Sequence, residues 1–574
     1  MTLQGWALIA LFATLALLTV RPLGGYIARV FDSARVPLRP LGPLERGLYR
    51  LAGIDPAVEQ GWLAYATALM WFHLAGIVLL YTLQRLQGLL PFNPGQLPAV
   101  SPDLALNTAV SFATNTSWQS YGGETTLSYF VQMAGITVQS FLSGASGVAV
   151  AIALVRGLAR RESRTVGNFW VDLTRGTLYL LLPICAVAGL FLVWQGVPQT
   201  LDTTIEATTL EGAQQFIARG PVASQEVIKL MSGDGGGFFN VNSAHPFENP
   251  TALTNLVEML LIFLLGTALT NSFGRMVGNE RQGWVLFSVM AALFAIGVSV
   301  IYAAEAPGNP NLSPLSIDQA AGTLQNGGNM EGKEVRFGIA GSSLFANVAT
   351  DSSDGAVNAM LDSYAPLSGF VLMANMMVDE VIVGAPGSGL FGILLFAIVA
   401  VFVAGLMVGR TPEYLGKKIS ATEVKMTMLA LLAVPLAILS LTAVACVVPA
   451  GLAGLGNAGP HGFSEILYAY TSAGATNGSA FAGLSANSPF FNLSLALGMF
   501  IGRFLVIIPV LAVAGSLAAK RTVPVSAGTL PTDSLQFAGL LIGTVLIVGG
   551  LTFFPALALG PLAEQYVLSA GPLY

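Results

Sequence analysis

Ten stretches of about 20 mainly apolar residues constrain the fold of this chain more than any other feature. A helix of about 20 residues spans the roughly 30 Å hydrocarbon core of a bilayer. Only 10% of the 574 residues are charged, whereas soluble domains carry about 25%. We therefore predict an all-α membrane protein. Its ten spans are predicted at 3–20, 62–84, 127–155, 176–195, 252–272, 284–303, 390–409, 426–448, 490–516 and 535–556.

The N-terminal apolar run has no basic residue before it, and its first cation is Arg21. A cleaved signal peptide has the opposite order, so we predict a retained first helix. Two cysteines, Cys185 and Cys446, lie inside apolar runs. They are too few for a disulfide framework or a Cys-ligated metal site.

Charge alternates between successive connections, and this pattern predicts the orientation. The connections that follow odd-numbered spans are basic, with Arg29, Arg35, Arg39, Arg46, Arg50, Arg156, Arg160, Arg161, Arg164, Arg275, Arg281, Arg410, Lys417, Lys418, Lys425, Lys520 and Arg521. The other connections carry Asp202, Glu206, Glu211, Glu305, Asp318, Glu331 and Asp351. Because basic loops remain in the cytoplasm, we predict that both termini are extracytoplasmic.

Four connections on the non-basic side contain short strings rich in Gly, Ser and Thr, at 114–119, 232–237, 352–356 and 474–479. With Asn115, Asp234, Asp354 and Asn477 as markers, the separations are 119, 120 and 123 residues. A near-constant period indicates a repeated unit. Each unit is a span, a re-entrant loop and a span, with one extra helix at each end of the chain. We divide the chain into 1–60, repeats at 61–165, 166–280, 281–420 and 421–525, and a final segment at 526–574.

Four such loops suit the selection of a hard monovalent cation. Irregular backbone at membrane depth is tolerated when it is buried in protein or lines a wet cavity. Backbone carbonyls there can replace the hydration shell of an ion, and glycine permits the dihedral angles that this requires. No soft ligands occur in the strings, which argues against copper or zinc. Simple turns between helices are the alternative, and the common spacing and common side of the four strings argue against it.

Three longer strings resemble the signature of a known family, the channel-like A subunit of the Kdp potassium-transporting P-type ATPase. They are FFNVNSAHPFENP at 238–250, GRTPEYLGKK at 409–418 and GSAFAG at 478–483. The resemblance covers nearly the whole chain. It implies a K⁺ filter built from four pseudo-fourfold M1–P–M2 repeats, as in the potassium transporter superfamily. It also implies a partner P-type ATPase subunit and small accessory membrane subunits.

The same resemblance implies which residues form the filter. They are Asn115, Thr116, Ser117, Gly233, Asp234, Gly235, Ser353, Asp354, Gly355, Thr476, Asn477 and Gly478. The second loop departs from the family pattern, because Gly233-Asp234 stands where Thr-Asn is common. Ser117 replaces a common Asn. Whether Asp234 tunes ion affinity or braces the loop stays open at this point.

The third repeat is irregular. The segment 366–383 looks helical, the string GAPGSG follows at 384–389, and an apolar helix resumes at 390–409. Gly and Pro at this density interrupt a helix. We predict a broken second helix, with Gly384, Gly387 and Gly389 in a loop below the filter. A surface loop between two separate spans would break the alternation of basic connections.

Arg503 lies well inside a predicted span, where a charge costs at least about 2.5 kcal/mol. We predict that it pairs with Glu380 beside the glycine-rich break and limits free ion flow. Arg410 is a further candidate for the gate, although a basic residue in such a connection more typically sets the orientation of the chain in the membrane. Glu258 is interpreted as an interfacial residue without a role.

Several other functions find no support in the sequence. His73, His245 and His461 have no cysteine or acidic cluster nearby in sequence at metal-ligand spacing, so packing or loop roles are predicted. The chain has neither a P-loop nor the DKTGT phosphorylation string, and it has no basic–aromatic patch for nucleic acid. We predict a non-hydrolytic subunit without a cofactor that passes K⁺ to a separate ATPase subunit. A stand-alone, gradient-driven K⁺ or Na⁺ uptake protein is the alternative. An intramembrane enzyme would need paired catalytic residues at one depth, and no convincing pair is found.

Overall fold

The computed structural model describes residues 1–32, 36–323, 325–378, 381–409, 411–524 and 530–570. Within these residues, ten helices are long and apolar enough to cross a membrane, which confirms the predicted number. They are Leu3–Phe31, Trp62–Leu89, Val131–Ala159, Phe169–Trp194, Ala252–Met276, Glu280–Leu312, Ser388–Met407, Ala421–Ala445, Pro489–Ala518 and Leu535–Leu568.

Four shorter helices lie between pairs of these spans, and we refer to them as short helices 1 to 4. They are Pro102–Ala113, Val222–Met231, Gly338–Asp351 and Gly459–Gly474. At 10–16 residues, they are too short to cross a bilayer. Each leads into one of the glycine-rich strings, so every unit is a span, a short helix with its loop, and a span. Leu3–Phe31 precedes the four units and Leu535–Leu568 follows them.

The remaining regular structure connects these elements. Helix Gly42–Ala52 follows the first span, and strands Ile205–Thr208 and Gln214–Ile217 form an antiparallel hairpin before short helix 2. A second, two-residue hairpin pairs Glu413–Tyr414 with Lys417–Lys418.

The third span, Val131–Ala159, is the most central helix of the bundle. Nearly all of its side chains from Ser143 to Val155 are buried. Its small residues allow close helix packing. At Gly157, for example, an added Cβ would lie 2.5 Å from the Ala514 carbonyl oxygen on the ninth span. The first, second and tenth spans are peripheral, because only 28% of the residues in the apolar window of each are buried.

Lys417 joins three of the basic connections at one end of the bundle. Its side chain is fully buried, and its Nζ donates at 2.7 Å to the carbonyl oxygens of Gly157 and Leu517 and also to that of Arg160. Burial, together with the charges of Arg161 and Lys520, lowers the pKa of Lys417 to about 8. This lysine therefore satisfies the C-terminal carbonyls of the third and ninth spans, a role that its place in a basic run did not indicate.

Thr2 and Glu564, each near one end of the described residues, lie at the opposite end of the bundle, with the glycine-rich loops. The Thr2 backbone N–H donates to the Tyr302 hydroxyl at 2.8 Å. In the last helix, Glu564 contacts His461 at the start of short helix 4. These two residues therefore share a side of the bundle with the four loops.

Candidate ion-selective site

The four short helices end in loops of one backbone design. The second residue after each helix has left-handed φ: Asn115 at 62°, Gly233 at 64°, Ser353 at 52° and Thr476 at 51°. The fourth residue is also left-handed in three loops, at Ser117, Gly235 and Gly478. We refer to residues 114–118, 232–236, 352–356 and 475–479 as loops 1 to 4.

These equivalent positions show that one of the four marker residues, Asn115, was chosen one position too early. Counted from the end of its short helix, Asn115 corresponds to Gly233, Ser353 and Thr476. Thr116, rather than Asn115, is the counterpart of Asp234, Asp354 and Asn477. The marker residues were therefore one position out of step in loop 1, because side-chain type and not backbone position selected them. The four predicted triplets themselves occupy equivalent positions.

Alternation of left- and right-handed residues has a chemical consequence for the carbonyl groups. In an extended strand, successive carbonyls point to opposite sides. Alternating the handedness rotates successive peptide planes, so that the carbonyls of neighbouring residues can line one side of the loop. A stack of carbonyl oxygens of this kind is the arrangement that replaces the hydration shell of K⁺.

Loops 1 and 2 are joined by side chains from both. The Asn115 amide donates to the carbonyl oxygens of Ser232 at 3.1 Å and Gly233 at 2.8 Å. The Ser117 hydroxyl donates to Asp234 Oδ1 at 2.8 Å, while Ser232 donates to Asp234 Oδ2 at 3.1 Å. Both carboxylate oxygens of Asp234 are thus engaged by serine hydroxyls, and the contacts show this residue bracing the two loops.

Loops 2, 3 and 4 continue the same chain of contacts. The Gly355 N–H donates to the Asp234 carbonyl at 3.2 Å. The Ser353 hydroxyl donates to the Ala475 carbonyl at 2.8 Å, and the Asn477 amide donates to the Asp354 carbonyl at 3.2 Å. Residues separated by about 120 positions in the sequence therefore hold neighbouring loops in register.

Loop 4 meets loop 1 and closes the ring. Gly478 has φ of 103°, and an added Cβ would overlap the Thr116 carbonyl oxygen. At Gly235 an added Cβ would overlap the backbone nitrogens of Gly355 and Ala356. Glycine is needed at these two positions both for the backbone angle and for the approach of a neighbouring loop.

A buried charge network supports loop 2 from behind. Lys229 Nζ lies 2.7 Å from Glu226 Oε2 and 2.6 Å from Glu248 Oε2, and it donates to Asn242 Oδ1 at 2.7 Å. The Asn242 amide in turn donates to the Gly235 carbonyl at 2.7 Å. Sequence reasoning missed Lys229, although a lysine on a short, otherwise largely apolar helix is itself a signal of a buried partner.

Glu258 lies beside this network, close to the charges of Glu226, Lys229 and Glu248. Its side chain is fully buried within the protein, because span 5 packs against short helix 2. Hydropathy places it near the beginning of a span, and it gave no indication of these partners. The position of Glu258 relative to the membrane interface stays a prediction.

The interruption of the third repeat is longer than predicted. The observed helix Pro366–Met377 ends before the predicted end at 383, and the next helix begins at Ser388. The N–H groups of Val383 and Gly384 donate to the carbonyl of Asp351, the last residue of short helix 3, at 3.0 and 2.9 Å. These bonds satisfy an orphan helix-end carbonyl and hold the break against the short helix.

The break also lies directly against the loops. A Cβ added at Gly233 would be 2.5 Å from Pro386 Cδ and 3.0 Å from Ala385 Cβ. Gly387 has φ of 106° and touches the Gly147 backbone of the third span. The glycines at 384 and 387 both have left-handed φ, which an L-residue with a side chain adopts at a cost.

Arg503 lies where the break, the third span and loop 4 meet. A Cβ at Gly147 would be 2.5 Å from the Pro386 carbonyl oxygen and 3.2 Å from Arg503 Nη2. Arg503 is 3% exposed and lines a cavity of about 20 Å³ together with Ser388 and Thr476. Two other predicted gate residues, Glu380 and Arg410, lie outside the described residues. Their proposed roles stay predictions.

The three histidines have different surroundings. His73 is buried, with Ser146 Oγ at 3.2 Å and the Phe504 ring at 5.2 Å. His245 stacks on Phe239 at 3.7 Å. His461 has two carboxylate partners that its sequence surroundings did not indicate, because the fold brings Asp362 to 3.2 Å and Glu564 to 2.8 Å from its ring nitrogens. Both partners are about 100 residues distant in sequence.

The sequence was compared with models of known protein families and with known proteins. A family model described as the potassium-transporting ATPase A subunit matches residues 10–566. The chain is 63% identical to the potassium-transporting ATPase potassium-binding subunit of Methylorubrum extorquens, over 100% of this chain and 99% of that protein. It is 61% identical to the protein of the same name from Mesorhizobium japonicum, over the full length of both.

Among solved structures, the potassium transporter TrkH from Vibrio parahaemolyticus has a similar fold. The TM-score is 0.50, with 88% of this chain and 98% of that chain covered. The sequence identity is 13%, so this similarity concerns the architecture alone. It agrees with the arrangement of spans and re-entrant loops described above.

Proposed function

The chain belongs to the family of the potassium-transporting ATPase A subunit, and on that basis we propose that it binds and translocates K⁺ within an ATP-driven uptake pump. Relatives that match over their full length are named as the potassium-binding subunit. This chain is accordingly a non-hydrolytic transport subunit, and ATP hydrolysis takes place on a partner ATPase subunit. Small accessory membrane subunits complete the proposed complex.

The closed ring of loops is the observation that carries the proposal for the site. Contacts run from Asn115 to Gly233, from Asp234 to Gly355, from Ser353 to Ala475, and from Gly478 back to Thr116. Four loops held in this way surround one axis. We propose that their carbonyl oxygens coordinate the transported K⁺, which is substrate rather than a resident cofactor.

The short helices add a favourable field for a cation at the same place. Each ends immediately before its loop, so the C-terminal end of each helix dipole, equivalent to about −0.5 charge, lies beside the ring. No charged ligand is then needed to attract a monovalent ion. Asp234 is bound by two serines and is proposed to maintain the loop geometry.

Below the ring, Arg503 and the broken helix are proposed to form the gate. The segment from Val383 to Ser388 packs between loop 2, short helix 3 and the Arg503 side chain. A positive charge at this depth opposes passage of a cation. Movement of the glycine-containing break would displace that charge, which couples ion entry to a conformational change.

We also propose an orientation in the membrane and a division of the chain into repeats. We place the loops and both termini on the extracytoplasmic side of the bacterial inner membrane, because the opposite end carries the basic connections. The proposed repeats are 61–165, 166–280, 281–420 and 421–525.

A stand-alone, gradient-driven K⁺ or Na⁺ uptake protein is the alternative with the same architecture. The names of the full-length relatives favour the pump subunit. The decisive experiment measures K⁺-dependent ATP hydrolysis and K⁺ uptake in membranes that contain the partner ATPase subunit with and without this chain. Hydrolysis and uptake that both require the chain support the pump. Uptake by this chain alone, without ATP, would support the alternative.

A further inference from the structure

A cluster of one histidine and three carboxylates lies beside the loops, away from the ring. Asp362 comes from the short 3₁₀ turn after loop 3, and His461 and Glu465 stand one turn apart on short helix 4. Glu564 comes from the last helix. One potential ligand atom from each of Asp362, His461 and Glu465 lies within 4.8 Å of the others. Three distant parts of the chain therefore bring these groups to one point.

The histidine is oriented by a carboxylate on its far side. His461 Nδ1 lies 2.8 Å from Glu564 Oε1, while Nε2 faces Asp362 Oδ1 at 3.2 Å. When Nδ1 carries a proton donated to Glu564, the Nε2 lone pair is directed at the cluster. Metal-binding histidines have this arrangement, in which a carboxylate on the second ring nitrogen fixes the tautomer and raises ligand basicity.

The two facing carboxylates are held in place by their own contacts. Glu465 Oε2 accepts from the Gly456 N–H at 3.0 Å, and its Oε1 accepts from the Asn457 amide at 2.8 Å. A Cβ added at Gly483 would lie 2.5 Å from both Asp362 Oδ2 and Glu465 Oε1. The absence of a side chain at Gly483 therefore lets two acidic groups approach each other, and a shared cation, either the His461 imidazolium or a metal ion, offsets their repulsion.

A polar cavity of about 180 Å³ opens onto this cluster and supplies a second, independent observation. Its lining includes Asp362, His461, Glu564 and Asn329. Asn329 is 1% exposed. Its amide nitrogen donates to Glu305 and to the Ser363 carbonyl, but its side-chain oxygen has no hydrogen-bond partner among the described residues. The cavity thus has room for water, and its wall includes a residue with a buried oxygen that lacks a protein partner among the described residues.

We propose that Asp362, His461 and Glu465 form a binding site for a divalent transition metal of the Zn²⁺ class, positioned by Glu564. One imidazole nitrogen and two carboxylate oxygens are three ligands that zinc accepts, with the fourth position open to the cavity. Mg²⁺ and Ca²⁺ prefer sites made of oxygen alone. The imidazole therefore selects against these ions and against K⁺.

The stacked rings of Phe481 and Tyr468 lie between the proposed site and loop 4. The Phe481 ring stacks on His461 at 6.1 Å between centroids and on Tyr468 at 4.2 Å, and the Tyr468 hydroxyl lies 2.8 Å from Ser479 Oγ. A bound metal would fasten the turn after loop 3, short helix 4 and the last helix together, next to the ring.

The test uses the purified full-length chain in detergent, stripped with EDTA and titrated with ZnCl₂ by calorimetry. We expect one saturable site per chain. His461→Ala and Glu465→Gln should each weaken Zn²⁺ affinity at least about tenfold. The matched control is His245→Ala, because His245 also stacks on an aromatic ring, while its Nδ1 accepts from the Phe247 N–H and no ion pair to a carboxylate is found for it among the described residues. It should bind Zn²⁺ as the wild type does.

A measurement on the wild type alone keeps the proposal testable if these variants do not fold. Co²⁺ in a site with three protein ligands and one water should show the intense visible absorption of tetrahedral Co²⁺, and Zn²⁺ should abolish it. Absence of saturable Zn²⁺ binding to the wild type would leave His461 as an ion-pair residue and overturn the proposal. Unchanged affinity in both folded variants would overturn it as well.

Discussion

Lys229 and Glu248 form an ion pair in the protein interior, with Nζ and Oε2 2.6 Å apart and neither side chain more than 1% exposed. The pair is joined to the ring of loops by one residue, since Asn242 accepts from Lys229 and donates to the Gly235 carbonyl. The position of the Gly235 carbonyl in loop 2 therefore depends on an ion pair buried behind the loop. The first prediction follows from this relationship.

Lys229→Met should lower the free energy of unfolding by about 3–5 kcal/mol, because it leaves buried carboxylates without a counter-charge. The double variant Lys229→Met, Glu248→Met should recover part of that loss. Chemical denaturation in detergent measures both. Arg219→Met is the control, since its partner Asp202 is 66% exposed, and it should cost less than about 1 kcal/mol. Equal losses for Lys229→Met and Arg219→Met would contradict the prediction.

Gly235→Ser, Gly355→Ser and Gly478→Ser should weaken K⁺ affinity or the discrimination of K⁺ from Rb⁺ and NH₄⁺. We expect at least a tenfold effect, about 1.4 kcal/mol, because a side chain overlaps the neighbouring loop. Protein amount should change much less. Gly543→Ser on the last span, where nothing lies within 4 Å, is the control. If all three variants keep wild-type discrimination in K⁺-dependent ATPase assays of the complex, the four-loop filter is wrong.

Arg503→Gln should impair K⁺ transport or uncouple it from ATP hydrolysis, because it removes the charge beside the broken helix. Uptake and hydrolysis are measured together in the reconstituted complex. Arg521→Gln, at an 86% exposed side chain, should behave as the wild type. A double-mutant cycle with Glu380→Gln tests the predicted pair, and strictly additive effects would exclude direct contact. Wild-type coupling in Arg503→Gln would remove the gate.

Lys417→Met should destabilise the fold by about 1–3 kcal/mol, since it removes the donor to buried helix-end carbonyls. The control is Lys418→Met, because Lys418 is the next residue in the chain and its side chain is exposed. Because the pKa of Lys417 is lowered to about 8, the unfolded chain binds more protons here between pH 8 and about 10.4, the ordinary lysine value. The stability advantage of the wild type over Lys417→Met should therefore grow as pH rises through this window. A decrease in that advantage would contradict the lowered pKa.

Single cysteines test the orientation. In a background without Cys185 and Cys446, Ser163→Cys and Ala519→Cys should react in intact cells only with membrane-permeant reagents. Gln325→Cys should also react with impermeant ones. The reason is the basic character of the connections that contain the first two positions. Labelling of Ser163→Cys by an impermeant reagent would reverse the proposed orientation of the loops.

Local sequence properties predicted the number of spans correctly. The length of an apolar run can be read from the sequence itself, whatever packs against it. The family resemblance supplied the triplets that start at Asn115, Gly233, Ser353 and Thr476, and these triplets occupy equivalent backbone positions. Their role as a filter stays a prediction. The choice of Asn115 as a marker was one residue out, because the loops are equivalent in backbone handedness and not in side-chain type.

Tertiary structure alone decided the contacts that link distant parts of the chain. Nothing near Glu258 in sequence shows that span 5 packs it beside Lys229, and nothing near His461 shows that Asp362 and Glu564 lie within 3.2 Å. Nothing near Val383 and Gly384 in sequence shows that their N–H groups donate to the carbonyl of Asp351. Burial and pairing of a polar group are properties of the packed assembly, because their free energy depends on which partner replaces water. Apolar length and backbone freedom belong to the segment itself, and those are what the sequence determined.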